Sequence, residues 1–368
     1  MSNVKVYLQK PWKFSEDSQY YDLLYKHPPR GIEYIPSKKT KLLQKGKNVF
    51  IFDLMKRVIR RLVKNFYPGM PNAHYDEEAD KYDLIHCMRC ISINKRPWIC
   101  DIEFAGGFWI TTEPQQGISR KRILNYLQSP YCKKIIPWTE WCANNIRNIF
   151  PEIKDKIEVV YPAVPSRKFK KVETGKTVLL YASRRFYFKG GLYALEVMDK
   201  ITKNNRAVEG WIVSDVPNEV YEKYKSNSQI RFMGTLPQKE LFENIYPRAD
   251  IFLYPSFTDT FGYVILEAMS FGVPIVSLDG LSRKELVINN ITGKLVSVNN
   301  NGHFNPDILE RLDKNIVSSL LIETNNLILN KKLIKKMSKN CIRETSVGRF
   351  SINERNKKLG KIIMEALK

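Results

Sequence analysis

The sequence predicts an α/β protein of parallel sheets in two domains, and three observations carry that prediction. Residues 249–279 read as strand, polar loop, helix, strand. An apolar run, Ile251-Phe252-Leu253-Tyr254, leads to a polar turn from Ser256 to Thr260, a segment with Val264, Leu266, Ala268 and Phe271 closed by Gly272, and a second apolar run ending at Leu278. That order is a right-handed βαβ unit. Short apolar runs recur in both halves of the chain between segments of helical period. The length, 368 residues, fits two domains of ordinary size.

The first half opens with a strand over 4–8. An aromatic, polar segment, Pro11 to Tyr21, follows it. Residues 52–66 form the clearest amphipathic helix: Leu54, Met55, Val58, Ile59, Leu62, Val63 and Phe66 recur at helical spacing, with Lys56, Arg57, Arg60, Arg61 and Lys64 opposite. The cationic face is that of a solvated surface or of a helix docked on an anionic membrane. Strands follow over 82–87 and 97–103, the second carrying Asp101 and Glu103 at its end, with Gly106 and Gly107 beyond. His86 is close by. Residues 133–137 read as a strand, 140–150 as a helix, and 156–165 as a last strand running into a proline-marked linker.

The second half opens with a strand over 177–182. Ser183-Arg184-Arg185-Phe186-Tyr187-Phe188-Lys189-Gly190-Gly191 comes next, then a helix with Leu192, Leu195 and Met198. Strands at 207–213 and 230–236 follow, the latter with Gly234 in a turn. A helix over 238–246 leads into the strand at 251. Residues 291–296 read as an edge strand, and the tail from about 306 is helical, ending in 352–367.

Composition sets the class. A hydrophobic share of 43% is that of a globular protein. No stretch is apolar enough over the length of a membrane span, and the opening MSNVKVYLQK lacks a signal-peptide core. The expected compartment is the cytoplasm, where the six cysteines stay free thiols. Cys87 and Cys90 form a lone Cys-x-x-Cys without the second pair of a zinc site. The net charge of +22 suits an anionic partner such as membrane lipid, anionic glycolipid or nucleic acid. The wealth of Lys, Asn and Ile is also what AT-rich coding produces.

The stretch PSFTDTFGYVILEAMSFGVPIV places Asp259 and Glu267 with seven residues between them. It resembles the Glu-x7-Glu signature of the retaining glycosyltransferases of family 4, within the glycosyl transferases group 1, with Asp259 in place of the first Glu. Arg184 and Lys189, five apart, resemble the family's Gly-Arg-x4-Lys-Gly element, with Ser183 in place of its first Gly. Counted from Pro97, the family's N-terminal cleft His is Glu103 here, and a Gly-Gly loop after the first strand is missing.

The resemblance implies the GT-B fold: α/β, two Rossmann-like domains facing across a cleft. The expected division is 1–168 for acceptor, 169–345 for nucleotide-sugar, and 346–368 as a helix crossing back. It implies sugar transfer, with retention, from a nucleotide-diphosphate sugar (UDP or GDP type) to an acceptor hydroxyl of a lipid-linked or cell-surface glycan. No metal or other cofactor is expected, because Arg184 and Lys189 would stabilise the leaving diphosphate. Glu267 would hold the ribose. Asp259 would touch the donor sugar, with backbone N–H groups around Thr260, Phe261, Gly262 and Tyr263, and the turn Gly234-Thr235-Leu236 would lie beside the base. Asp101 and Glu103 would orient the acceptor hydroxyl, offset charge on the sugar face, or serve as a structural cap at the strand end. The partners are then donor, glycan or lipid acceptor and, through the 52–66 helix, an anionic membrane surface. A GT-B sugar-nucleotide epimerase and a non-catalytic binder of anionic surfaces are the alternatives. Nucleic acid is not expected as a partner, since the cations are not interleaved with stacking aromatics.

Overall fold

The computed structural model describes residues 3–11, 19–37, 58–59, 61–114, 116–298 and 309–368. The chain divides into two units, Met1–Pro162 with Ile352–Lys368, and Ala163–Ser351.

The strands of the first unit are β1 (Val4–Gln9), β2 (Ile32–Pro36), β3 (Ala73–His74), β4 (Leu84–Met88), β5 (Ile91–Ser92), β6 (Trp98–Ile102) and β7 (Cys132–Pro137). A parallel sheet runs in the order β2-β1-β4-β6-β7, and β3 and β5 pair separately. Every residue of β4 and β6 is buried, as expected of strands covered on both faces. Helices α1 (Gln19–Lys26), α2 (Gly117–Gln128) and α3 (Glu140–Ile149) pack around this sheet. Thr139 starts α3 by accepting a bond from the Cys142 amide at 3.1 Å, the usual use of a hydroxyl at a helix start.

Trp98, Phe108, Trp109 and Phe150 fill the core, with the Trp109 and Phe150 rings stacked 5.9 Å apart. Cys87, Cys90, Cys100, Cys132 and Cys142 lie among them, all buried and unoxidised. Burial raises the thiol pKa of Cys87 and Cys100, and pushes that of Cys132 up to about 12.

The structure corrects the expectation of a last strand at 156–165. This stretch has a bridge between Ile135 and Ile157, and amides of Glu158 and Val160 bond to Ile135 and Pro137. Pro162 and Pro165 cannot donate to a ladder. The first four strands predicted in this unit and its 140–150 helix are present with slightly shifted ends, whereas α1, β2 and α2 had not been anticipated. Of the helix predicted over 52–66, residues 52–57 and 60 lie outside the described residues. Residues 58–59 and 61–66 are helical. Val58, Ile59, Leu62 and Phe66 are exposed there.

The second unit contains β8 (Thr177–Ala182), β9 (Val208–Val213), β10 (Ile230–Phe232), β11 (Ile251–Tyr254), β12 (Ile275–Leu278) and β13 (Gly293–Val296). They form a parallel sheet in the order β10-β9-β8-β11-β12-β13. This doubly wound order puts a topological switch point between β8 and β11, and ligands bind beyond the strand ends at such points. The longer helices are α4 (Gly191–Asn204), α5 (Tyr263–Ser270), α6 (Lys314–Leu329) and α7 (Lys331–Ser346). The single helix expected over 238–246 is instead a turn of α-helix (Gln238–Glu240), a π turn (Leu241–Ile245) and a 3-10 turn (Tyr246–Arg248). Pro247 lacks an N–H and its ring crowds the preceding turn, so a regular helix cannot run through it. The helix α7 packs on α5. Gly272, at φ +66°, allows the approach: a Cβ there would meet Ser338 Oγ at 2.6 Å.

The last helix, α8 (Ile352–Ala366), belongs to the first unit. Its Arg355, 1% exposed, donates to the carbonyls of His27 at 2.6 Å and Leu23 at 3.3 Å, at the end of α1. The unit boundaries fall at 162/163 and 351/352, where 168/169 and 345/346 had been expected. The amide of Val164 bonds to Phe350, and Val164 bridges Ser351, so both stretches stay with the second unit. Replacing Arg355 with Ala leaves buried carbonyls at the end of α1 without their charged donor, a loss of about 1.5–3 kcal/mol. We expect an earlier urea midpoint for Arg355→Ala in tryptophan fluorescence; an unchanged midpoint would mean that water replaces the guanidinium.

Candidate active site

Two loops meet at the switch point of the second unit. The loop after β8 carries Arg184 and Lys189, and the loop after β11 carries Asp259. Gly190, at φ +74°, lets them touch: a Cβ there would lie 2.0 Å from the Pro255 carbonyl oxygen. The Thr258 hydroxyl donates to the Phe188 carbonyl at 2.9 Å. The Lys189 ammonium pairs with Asp259 Oδ1 at 2.9 Å, and the Tyr254 hydroxyl donates to Oδ2 at 2.5 Å. Asp259 is therefore held by both loops and is 8% exposed.

Arg283 fixes the same loop from behind. It is 2% exposed, and it donates to the carbonyls of Leu278 at 2.7 Å and Asp259 at 3.0 Å. Ser282 donates to the Thr260 carbonyl. Gly262 starts α5 at φ +80°, Phe261 is buried, and the Tyr263 hydroxyl donates to the Ala163 carbonyl. The stretch 260–263 is thus a built entry to a helix whose first amides point out of its N-terminus.

Glu267, on α5, is 7% exposed. Gln238 donates to one oxygen at 2.8 Å and Tyr246 to the other at 3.3 Å. Burial raises its pKa, against the pull of Gln238, Arg167, Tyr246 and Arg184. Arg184 is exposed and makes no hydrogen bond or ion pair with any described residue. It is a cation near an acid with its donors open. Beyond β10, Gly234 turns at φ +63°, and the Thr235 amide donates to Asp215 Oδ1 at 3.0 Å. Gln238 also lines a cavity of about 760 Å³ with Arg167, Phe169, Phe242 and Phe271.

The structure therefore brings Lys189 and Asp259 into contact and sets Arg184 within the field of Glu267. Asp101 and Glu103 lie in the first unit. Asp101 is fully buried: Tyr21 donates to it at 2.7 Å, the Arg89 amide at 3.3 Å, and His86 Nε2 is 3.6 Å away. Glu103 is partly exposed and 3.4 Å from the Arg89 guanidinium. Arg89 has φ 56°. Sequence reasoning missed Tyr254, Arg283, Gln238 and Tyr246. Tyr254 alone carried a signal, as the polar-tipped last residue of an apolar strand. Among the described residues no group of three or more His, Cys, Asp or Glu side chains is placed to hold a metal ion.

The sequence profile of the glycosyl transferases group 1 matches residues 165–332. That stretch is similar to a group 1 glycosyltransferase domain. A solved glycosyltransferase from Rickettsia africae superposes with a TM-score of 0.64 at 16% identity, over 100% of this chain and 99% of its own. The Anabaena HepE protein, solved in complex with UDP and glucose, gives a TM-score of 0.58 at 13% identity, over 98% and 99%. The chain has the GT-B fold. An uncharacterized glycosyltransferase of Methanocaldococcus jannaschii is 23% identical over 250 residues, 58% of this chain. The chain spans 62% of that relative, less than two thirds of its length.

The raised pKa of Glu267 has a stability consequence with a definite sign. Below the ordinary carboxyl pKa of about 4.3 both folded and unfolded chains carry the proton, and burial costs nothing. Above the raised folded value the folded state holds a charge that water would have favoured. Glu267→Gln should therefore raise the Tm of the ligand-free protein in mildly alkaline buffer and leave it unchanged in acid. A lower Tm in alkaline buffer would show that its hydrogen bonds outweigh its burial.

Proposed function

We propose that the chain is a retaining, metal-independent glycosyltransferase that moves a sugar from a nucleotide-diphosphate donor to a hydroxyl of a lipid-linked or cell-surface glycan. The observation that carries this is the pairing of Lys189 with Asp259 beside the open Arg184, at the switch point of the nucleotide-type sheet. The group 1 match over this region supports it, as do the UDP and glucose bound by the Anabaena neighbour.

The roles follow from charge. As the bond from the anomeric carbon to phosphate oxygen breaks, the diphosphate gains negative charge. Arg184 offers it a planar fork and Lys189 a point charge, and both act more strongly on the departing group than on the intact donor. Lys189 also aims Asp259, and this carboxylate accepts hydrogen bonds from sugar hydroxyls. Glu267, positioned by Gln238 and Tyr246, accepts from the ribose. In a front-face displacement the acceptor oxygen bonds to the anomeric carbon on the face the phosphate leaves, and its proton passes to the leaving phosphate oxygen. The donor base is that of a UDP or GDP sugar, beside Gly234-Thr235-Leu236. Glu103, partly exposed at its strand end, orients the acceptor, with Asp101 fixing the buried layer beneath. The exposed Val58, Ile59, Leu62 and Phe66 support an acceptor reached at the cytoplasmic face of a membrane.

Arg184→Ala and Lys189→Ala should each lower kcat by roughly 10²-fold or more with a nucleotide-sugar donor found by thermal-shift screening. Near-native turnover in both variants would remove the diphosphate role. Conversion of the donor without any acceptor would point to an epimerase. Calorimetry separates the two acids: Glu267→Ala weakens binding of the free nucleoside diphosphate, whereas Asp259→Ala spares it and impairs use of the sugar donor. Equal loss of nucleotide binding in both would refute that division.

A further inference from the structure

A second feature, independent of how the donor site is read, lies on α7. This helix carries Lys331, Lys332, Lys335, Lys336, Lys339 and Arg343, all exposed. At about 100° per residue the six fall within an arc of about 140°. The opposite side, with Met337, Cys341 and Thr345, is buried. Glu344 is the one acid in the helix, and Arg349 holds it at 2.8 Å.

The six cations are unlike others on the same unit. Lys176 pairs with Glu209 at 3.2 Å, Lys203 with Asp199 at 2.7 Å, and Lys294, on neighbouring β13, with Glu323 at 3.0 Å. None of the six on α7 pairs with any described residue. Like charges this close repel one another at helical spacing, so the stripe costs the isolated protein stability and lacks internal compensation. Apolar side chains flank it. Leu329, two residues before the helix, is 82% exposed, and Val347, just after it, is 68% exposed.

We propose that α7 is a docking surface for an anionic lipid bilayer. The helix is about 24 Å long and lies flat with its cations outward, which matches a plane of anionic headgroups. Leu329 and Val347, at its two ends, would enter the headgroup boundary while the lysines and Arg343 stay at the surface. A nucleic-acid partner fits less well. The helix contains no aromatic residue on which a base could stack.

The test is co-sedimentation with vesicles of phosphatidylcholine alone or mixed with phosphatidylglycerol, in low and high salt. The wild type should bind only the mixed vesicles, and lose them in high salt as screening shortens to about 3 Å at 1 M. Changing all six cations to Gln should weaken binding at least about tenfold, given roughly 1 kcal/mol per basic residue at such a surface. Leu329→Ser with Val347→Ser should weaken it without changing the salt dependence. Melting curves and binding of the donor nucleotide establish that the variants are folded. Should the six-Gln chain misfold, Lys332→Gln with Lys336→Gln and Lys339→Gln serves instead. The proposal falls if the wild type does not distinguish the vesicles, or if a folded Gln variant binds like the wild type, which would assign docking to another surface. It falls equally if a single-stranded oligonucleotide displaces the vesicles and needs the same six residues.

Discussion

The contact between Lys189 and Asp259 is the constraint on which the candidate site depends. Two loops from adjacent strands must approach closely enough for one ion pair and one carbonyl contact, and only a glycine at 190 leaves the room. The pair is partly buried, where an unpartnered carboxylate would be costly. Tyr254 then holds the second carboxylate oxygen and Arg283 the backbone carbonyl of the aspartate, which leaves acceptor sites on the carboxylate open. The result is a preorganised carboxylate with a cation already in place, the arrangement that electrostatic catalysis requires.

The two units use their polar groups in different ways. In the second, charges gather where strands end and remain partly open. In the first, Asp101, His86, Tyr21 and Tyr34 form a fully buried network beneath the strand ends, with Tyr34 bonded to His86 Nδ1 at 3.1 Å. A buried network of this kind holds β4 and β6 in register and supports the left-handed backbone at Arg89, a conformation that costs energy outside glycine. Glu103 and Arg89 emerge just above it. The sequence placed Asp101 and Glu103 together because residues two apart on a strand share a face, but β6 ends at Ile102, so Glu103 leaves the strand and is partly exposed while Asp101 stays buried.

The second unit was largely legible because its signals are local. Apolar runs bounded by glycine and proline marked its strands, and two short motifs marked its loops. What escaped notice depends on distant partners. Arg283 looks like one more surface cation until it is seen among the carbonyls of Leu278 and Asp259. Gln238 and Tyr246 gain their roles from Glu267 on another helix, and Pro247 breaks a segment that periodicity alone reads as continuous. In the first unit, α1 and β2 are short and polar enough to hide, and α8 takes its place through Arg355, a contact made across most of the chain.

The distribution of sulfur gives the molecule a built-in reporter. Every cysteine is buried, and those in the first unit share its core, while Cys341 alone lies in the second, on the buried face of α7, with its thiol directed at the Thr292 carbonyl at 3.2 Å. Buried structural thiols are inert to reagents. An alkylating reagent can therefore reach Cys87, Cys90, Cys100, Cys132 or Cys142 only when the first unit opens, and Cys341 only when the basic helix lifts away. Labelling rates, read residue by residue, would follow the opening of each half separately, in one sample and without any introduced probe.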